Sequence, residues 1–201
     1  MTRLNPALIV RACVVLRSGG VVAYPTDTFY GLAADPRNPR AVARLFTIKG
    51  RAAGQAIPLI AADPAQAEQA AHFDERAVRV SQAFWPGPLS LVLPASRVIC
   101  SEAKAEDGTV AVRVPACDAA RAIAQAFGFC ITATSANLSG EKPATSAAIV
   151  RRTLGEALDL VLDAGDAPGG APSTLVDLRN DPPRLVRAGA IPWDRVLKSI
   201  E

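Results

Sequence analysis

Thr26, Asp27 and Thr28 follow directly on an apolar run, Val21 to Tyr24, that Pro25 ends. The pattern recurs at Ser135 and Asn137 after the run Phe129 to Thr134, and hydroxyls mark a third strand end at Ser173-Thr174. Four cations are spaced among these polar tips: Lys49 and Arg51 at the end of a helical segment, Arg113 and Arg187 within apolar strands. A strand that carries hydroxyls to its C-terminal tip, followed by a helix ending in Lys-x-Arg, builds one wall of an anion pocket in α/β proteins. A half-buried cation with no acid nearby in sequence is costly unless an anion meets it. Arginine suits two-point contact with carboxylate or phosphate, whereas lysine acts as a point charge. The chemistry favoured is the holding of carboxylate and phosphate groups.

Each feature also has a plainer reading. Ser135-Ala136-Asn137 has the composition of an Asx or Ser/Thr turn. Arg113 could instead pair at a rim with Glu102, Glu106 or Asp107. Other chemistries are harder to build from this chain. Neither G-x-x-x-x-G-K-[ST] nor G-x-G-x-x-G occurs, so any nucleotide is held outside those two phosphate-binding solutions. One histidine, His72, stands without a ligand partner at helical spacing, which argues against a Ser-His-Asp triad and a multi-histidine metal site. The four cysteines, Cys13, Cys100, Cys117 and Cys130, form no Cys-x-x-Cys pair and read as small core residues in a reducing cytosol.

The elements that must position these groups alternate along the chain. Asn5-Pro6 caps a first helix that Gly19-Gly20 stops, and Val21 to Pro25 is a strand leading into a polar loop. Asn38-Pro39 caps a helix with Val42, Leu45 and Phe46 on one face. Strands follow at Ile57–Ala61, Leu89–Leu93, Thr109–Val114, Phe129–Thr134, Leu160–Leu162, Thr174–Leu178 and Arg184–Arg187. Helices open at Asp63, Asp74, Asp118, about Ser146 and Pro192. Alternation in TVAVRV puts Thr109, Ala111 and Arg113 on one strand face. These 201 residues, half of them hydrophobic, are read as one domain: a mixed α/β sheet flanked by helices. The net charge of +3 says little about nucleic acid. No apolar run approaches the ~18 residues of a membrane span, and the first helix, interrupted by Arg11 and Arg17, does not read as a signal peptide.

The blocks PTDTFYGL, KGR, FWPGPLSLVLP, GTVAVRVP, TSANLSG, and STLVDL followed by RLVRAG occur in this order. Together they closely resemble the YrdC/TsaC family, the threonylcarbamoyl-AMP synthases, from about Leu8 to Ala190 and in its short form. The resemblance implies a twisted α/β fold with a large positively charged cavity. It implies an enzyme that joins L-threonine, bicarbonate and ATP into threonylcarbamoyl-AMP and pyrophosphate, with Mg²⁺ carried by the ATP and no dedicated protein metal site. A downstream transferase complex would pass the threonylcarbamoyl group to tRNA beside the anticodon, in the cytoplasm. The family's Lys-x-Arg and Ser-x-Asn elements fall on Lys49, Arg51, Ser135 and Asn137, expected at the ATP phosphates and the reacting centre. Its threonine site maps to Thr28, Arg113 and Ser173, and Thr109 and Arg187 match nucleotide-contacting positions.

The chain departs from the family in one place above all. After Lys-Gly-Arg the family usually continues Pro-x-x-Asn-Pro-Leu, and here AAGQAIPL stands, two residues longer and with Ile57 where asparagine is common. Ala61-Ala62 replaces a frequent histidine, and Ala33 a frequent glycine. In the family the loop after Lys-Gly-Arg normally lies over the nucleotide, so the first change bears on ATP binding, whereas the change at Ala33 is minor. Two other functions fit the same fold: a related enzyme making another carbamoyl adenylate, and a non-catalytic module binding tRNA or double-stranded RNA. Aromatics are only 5% of the chain and no basic stripe is interleaved with them, which weighs against the second.

Overall fold

The computed structural model describes residues 4–51 and 56–200. Most of the expected caps form. The Asn5 side chain accepts from Ala7 N to start α1 (Pro6–Arg17), and Asn38 accepts from Arg40 N and Ala41 N to start α2 (Pro39–Lys49). Asp63, Asp74 and Ser146 cap α3 (Pro64–Ala70), α4 (Glu75–Phe84) and α6 (Ala147–Leu154) in the same way. Helix α5 (Asp118–Phe127) includes Asp118 as its first residue instead of being capped by it. A short α7 (Trp193–Lys198) follows the last strand.

The strands form two sheets, not the one expected from sequence. In the first, β1 (Val22–Pro25) lies between β2 (Tyr30–Ala33), antiparallel, and β8 (Leu160–Val161), parallel, and β7 (Thr134–Ser135) adds beside β2. The second has the order β10 (Arg184–Arg187), β9 (Thr174–Asp177), β4 (Leu89–Pro94), β5 (Thr109–Arg113), β3 (Leu59–Ile60), β6 (Ile131–Thr132). Strand β2 was not expected. All four of its residues are buried, so it lacks the polar alternation by which a half-exposed strand shows itself.

The expected strand Phe129–Thr134 is where the sheets meet. It breaks at Ala133, whose N donates to Pro58 O, so β6 pairs with β3 and β7 pairs with β2. Thr132, fully buried, makes the joint: its Oγ1 donates to Leu32 O at 3.0 Å and accepts from Ala34 N at 2.8 Å, while Tyr24 Oη donates to its carbonyl. The tips of both sheets therefore face one another across a shared hollow. The hollow is lined from the first sheet by Thr28 and Ser135 and from the second by Arg113 and Ser173.

Candidate functional site

A cavity of about 500 Å³ opens between these tips. Six of the sequence-predicted residues line it: Thr28, Arg51, Arg113, Ser135, Ser173 and Arg187. Apolar surface from Pro58, Ile60, Ala133 and Leu175 completes the walls. Among the described residues, no histidine or cysteine lines it, and no group of three His, Cys, Asp or Glu side chains is placed to hold a metal ion.

Thr28 is set by the hairpin between β1 and β2. Thr26 Oγ1 accepts from Thr28 N and Phe29 N and donates to Phe29 O at 2.7 Å, a local Ser/Thr turn that closes the tip. Gly169 N donates to Thr28 O at 2.7 Å, tying the glycine-rich loop to the same tip. Arg51 owes its direction to Gly50, whose left-handed φ of 59° ends α2 while Arg51 N returns to Phe46 O. Burial lowers the pKa of Arg51, and its guanidinium stands 6.0 Å from the Phe46 ring centre.

Lys49 and Asn137 lie outside the cavity lining. The buried Lys49 Nζ donates to Ser135 O, to Asn137 O at 2.9 Å and to Asn137 Oδ1 at 3.3 Å. Asn137 Nδ2 in turn donates to Leu138 O and Glu141 O, each at 2.8 Å. The Lys-x-Arg and Ser-x-Asn elements thus meet, with Lys49 fastening the chain that holds Ser135. Burial, with the charge of Arg51 adding to it, pulls the lysine pKa down to about 8.

Arg113 is partnered by none of Glu102, Glu106 and Asp107, the rim acids the sequence suggested. Its Nη1 donates to Asp27 Oδ2 at 3.0 Å and its Nη2 lies 3.0 Å from Asp27 Oδ1. The sequence offered Asp27 only as one polar group of the loop, and a separation of 86 residues hid the pairing. Thr109, also outside the cavity lining, donates its hydroxyl to Asp107.

Ser173 and Arg187 form a unit across β9 and β10. Arg187 Nε and Nη2 donate to Ser173 O, and Nη2 also reaches Ser173 Oγ at 3.0 Å. Burial, then the charge of Arg113, lowers the Arg187 pKa. Ser173 Oγ is 3.0 Å from Ser90 Oγ, a buried cavity residue that sequence reasoning missed, although it sits in the quoted block FWPGPLSLVLP. The altered segment after Arg51 lies outside the described residues over 52–55; Ile57 is fully buried. Three guanidinium groups, several hydroxyls and an apolar wall suit a ligand with separate anionic groups and a small apolar part.

Comparison with known proteins points the same way. The family model Sua5_yciO_yrdC, described as "Telomere recombination", matches residues 14–189. A curated protein of Pyrococcus abyssi named threonylcarbamoyl-AMP synthase is 38% identical over 186 residues, covering 92% of this chain and 55% of that protein. One of the same name from Halorhodospira halophila is 44% identical over 159 residues, covering 79% of this chain and 83% of its own length. The crystal structure of P. abyssi Sua5 complexed with L-threonine superposes with a TM-score of 0.92 at 37% identity, covering 98% of this chain and 58% of that one. The chain belongs to the Sua5/YciO/YrdC family.

Proposed function

We propose that this protein is an L-threonylcarbamoyladenylate synthase, a nucleotidyltransferase that forms threonylcarbamoyl-AMP and pyrophosphate from L-threonine, bicarbonate or CO2, and ATP. The observation that carries the reading is the convergence of Arg51, Arg113, Arg187, Thr28, Ser135 and Ser173 on one cavity, in a chain whose relatives bear that name. The threonine amine adds to CO2, losing a proton, and becomes a carbamate. A carbamate oxygen then attacks the α-phosphorus of ATP, and the bond to pyrophosphate breaks. Such a step needs two anions held in line and the leaving charge neutralised, with little covalent help.

In this reading Arg51 meets the phosphates, Arg113 the threonine carboxylate, and Thr28 or Ser173 the amine or hydroxyl. Ser135 faces the reacting centre, with Lys49 and Asn137 fixing the wall behind it. Arg187 and Thr109 also contact the nucleotide in this reading; the Thr109 hydroxyl donates to Asp107 and can still accept. Mg²⁺ would arrive with the ATP. The product would pass, in the cytoplasm, to a transferase complex acting on tRNA; among the described residues no helix is long and apolar enough to cross a membrane.

The test is pyrophosphate release with each substrate omitted in turn. Release should require ATP, L-threonine and bicarbonate together, and Arg51→Ala should slow it by about 10²–10³-fold, as loss of one transition-state donor does. Release independent of threonine, or near-normal turnover by Arg51→Ala, would overturn the assignment.

A further inference from the structure

We infer that Asp27 is a positioning residue for carboxylate recognition, acting through Arg113; the inference rests on the amino-acid-binding reading above. Asp27 stands at the tip of the β1–β2 hairpin in the four-stranded sheet, and Arg113 ends β5 in the six-stranded sheet. Their ion pair therefore spans the two walls of the cavity. Both side chains are mostly withdrawn from solvent, at 17% and 10% exposed. Arg113 lines the cavity and Asp27 does not, so the carboxylate grips the guanidinium from outside the ligand space.

A guanidinium offers a carboxylate two flat edges, one formed by both Nη groups and one formed by Nε and Nη2. Asp27 engages the first: Nη1 donates to Oδ2 at 3.0 Å, and Nη2 lies 3.0 Å from Oδ1 as an ion-pair contact that is not aligned as a hydrogen bond. The Nε–Nη2 edge is the one left to read an incoming carboxylate. An arginine loses rotamer freedom when it engages a ligand, and an arginine already held loses less. Asp27 fixes both the edge presented and its direction before the ligand arrives.

Coulomb attraction acts in the opposite sense. Removing Asp27 raises the positive charge of a cavity that also holds Arg51 and Arg187, which by itself strengthens binding of any anion. Positioning and charge thus predict opposite signs. The hairpin does not depend on Asp27, because its closing bonds belong to Thr26 Oγ1, so Asp27→Asn keeps the turn and the side-chain shape.

The experiment measures L-threonine binding by calorimetry, and adenylate-forming kinetics, in wild type, Asp27→Asn, Arg113→Gln and the double variant. Asp27→Asn should raise the threonine Kd and KM about tenfold or more, the scale seen when an outer partner of a binding group is removed. ATP affinity should stay at the wild-type level or tighten, and the variant should remain folded at the assay temperature although its melting temperature falls with the loss of a mostly buried ion pair. In the Arg113→Gln background the same change should add less than about twofold, because residues acting as a unit are not additive. Asp27→Glu keeps the charge but misplaces it, and should also lose threonine affinity. Threonine binding that is unchanged or tighter in Asp27→Asn, losses that add in the double variant, or full rescue by Asp27→Glu would each overturn the inference while leaving the functional reading intact. A wild-type protein that does not bind threonine would overturn that reading, and the inference with it.

Discussion

The ammonium of Lys49 lies 2.9 Å from the carbonyl oxygen of Asn137 and also donates to the carbonyl of Ser135 and to Asn137 Oδ1. Three acceptors use all three of its protons, and a neutral amine has only two to give. Losing the proton near pH 8, where burial and Arg51 set its pKa, therefore releases one tie on the wall that carries Ser135. Adenylate formation should fall as pH rises through about 8. The residual activity of Lys49→Met should be flat across that limb, which paired pH–rate profiles would check.

Stability should move the other way. The unfolded lysine holds its proton up to its ordinary value of 10.5, while the folded one releases it from about 8. Between those values the unfolded state binds more protons, so the Lys49 contribution to stability rises with pH in that window. Urea unfolding of wild type and Lys49→Met at pH 7.5 and pH 10 should show wild type gaining relative to the variant. An equal difference at both pH values would contradict this account.

Ser90 is the cavity residue whose role is easiest to isolate. Its hydroxyl touches Ser173 Oγ, which Arg187 holds from the other side. Ser90→Ala removes one neutral hydrogen bond, worth about 1 kcal/mol. The expected result is a rise of roughly fivefold in the threonine KM, since a 1.4 kcal/mol difference is tenfold. Melting temperature should fall by roughly 2–4 °C, since the lost bond lies within the folded protein. Steady-state kinetics with varied threonine would measure it.

What could be read from sequence divides by the range of the interaction. Asn5, Asn38, Asp63, Asp74 and Ser146 announce their helices because a cap is satisfied within three residues. The convergence of Thr28, Arg51, Arg113, Ser135, Ser173 and Arg187 came from ordered blocks and not from any single motif. Three things were hidden. Strand β2 is buried on both faces and shows no period, the break at Ala133 that sends one strand into two sheets has no local marker, and the Asp27–Arg113 and Ser90–Ser173 pairings join residues more than 80 positions apart.

Gly189 is a position where only the absence of a side chain fits. A Cβ built there would lie 2.4 Å from both Pro172 O and Thr174 N, backbone atoms that flank Ser173 and cannot swing aside. Gly189→Ala should therefore push the Ser173 segment away from Arg187. The expected loss is about 1–3 kcal/mol of stability, the usual cost of overpacking. Threonine affinity should fall with it, because Ser173 and Arg187 share the displaced contacts. Thermal unfolding together with threonine titration would detect both; a variant that keeps wild-type affinity would show that the loop relaxes without moving Ser173.

Asp177 anchors the far end of the strand that begins beside Ser173. It is fully buried, accepts from Arg179 Nε at 3.0 Å and Nη2 at 2.8 Å, and lies 3.5 Å from Arg184 Nη2. The Arg179 hydrogen bonds are the main reason its pKa is lowered from 3.8, despite burial acting against them. A carboxyl depressed in the folded state stabilises above its unfolded value and loses that contribution as pH falls through the folded one. Wild type should therefore outlast Asp177→Asn at neutral pH by about 2–3 kcal/mol, the range for charge-assisted bonds to a buried group. The gap should narrow below pH 3.8 as the wild-type carboxyl takes up its proton. Denaturant titrations of both proteins at pH 7 and pH 3 would measure the gap, and a constant difference would mean that Asp177 acts by packing and not by charge.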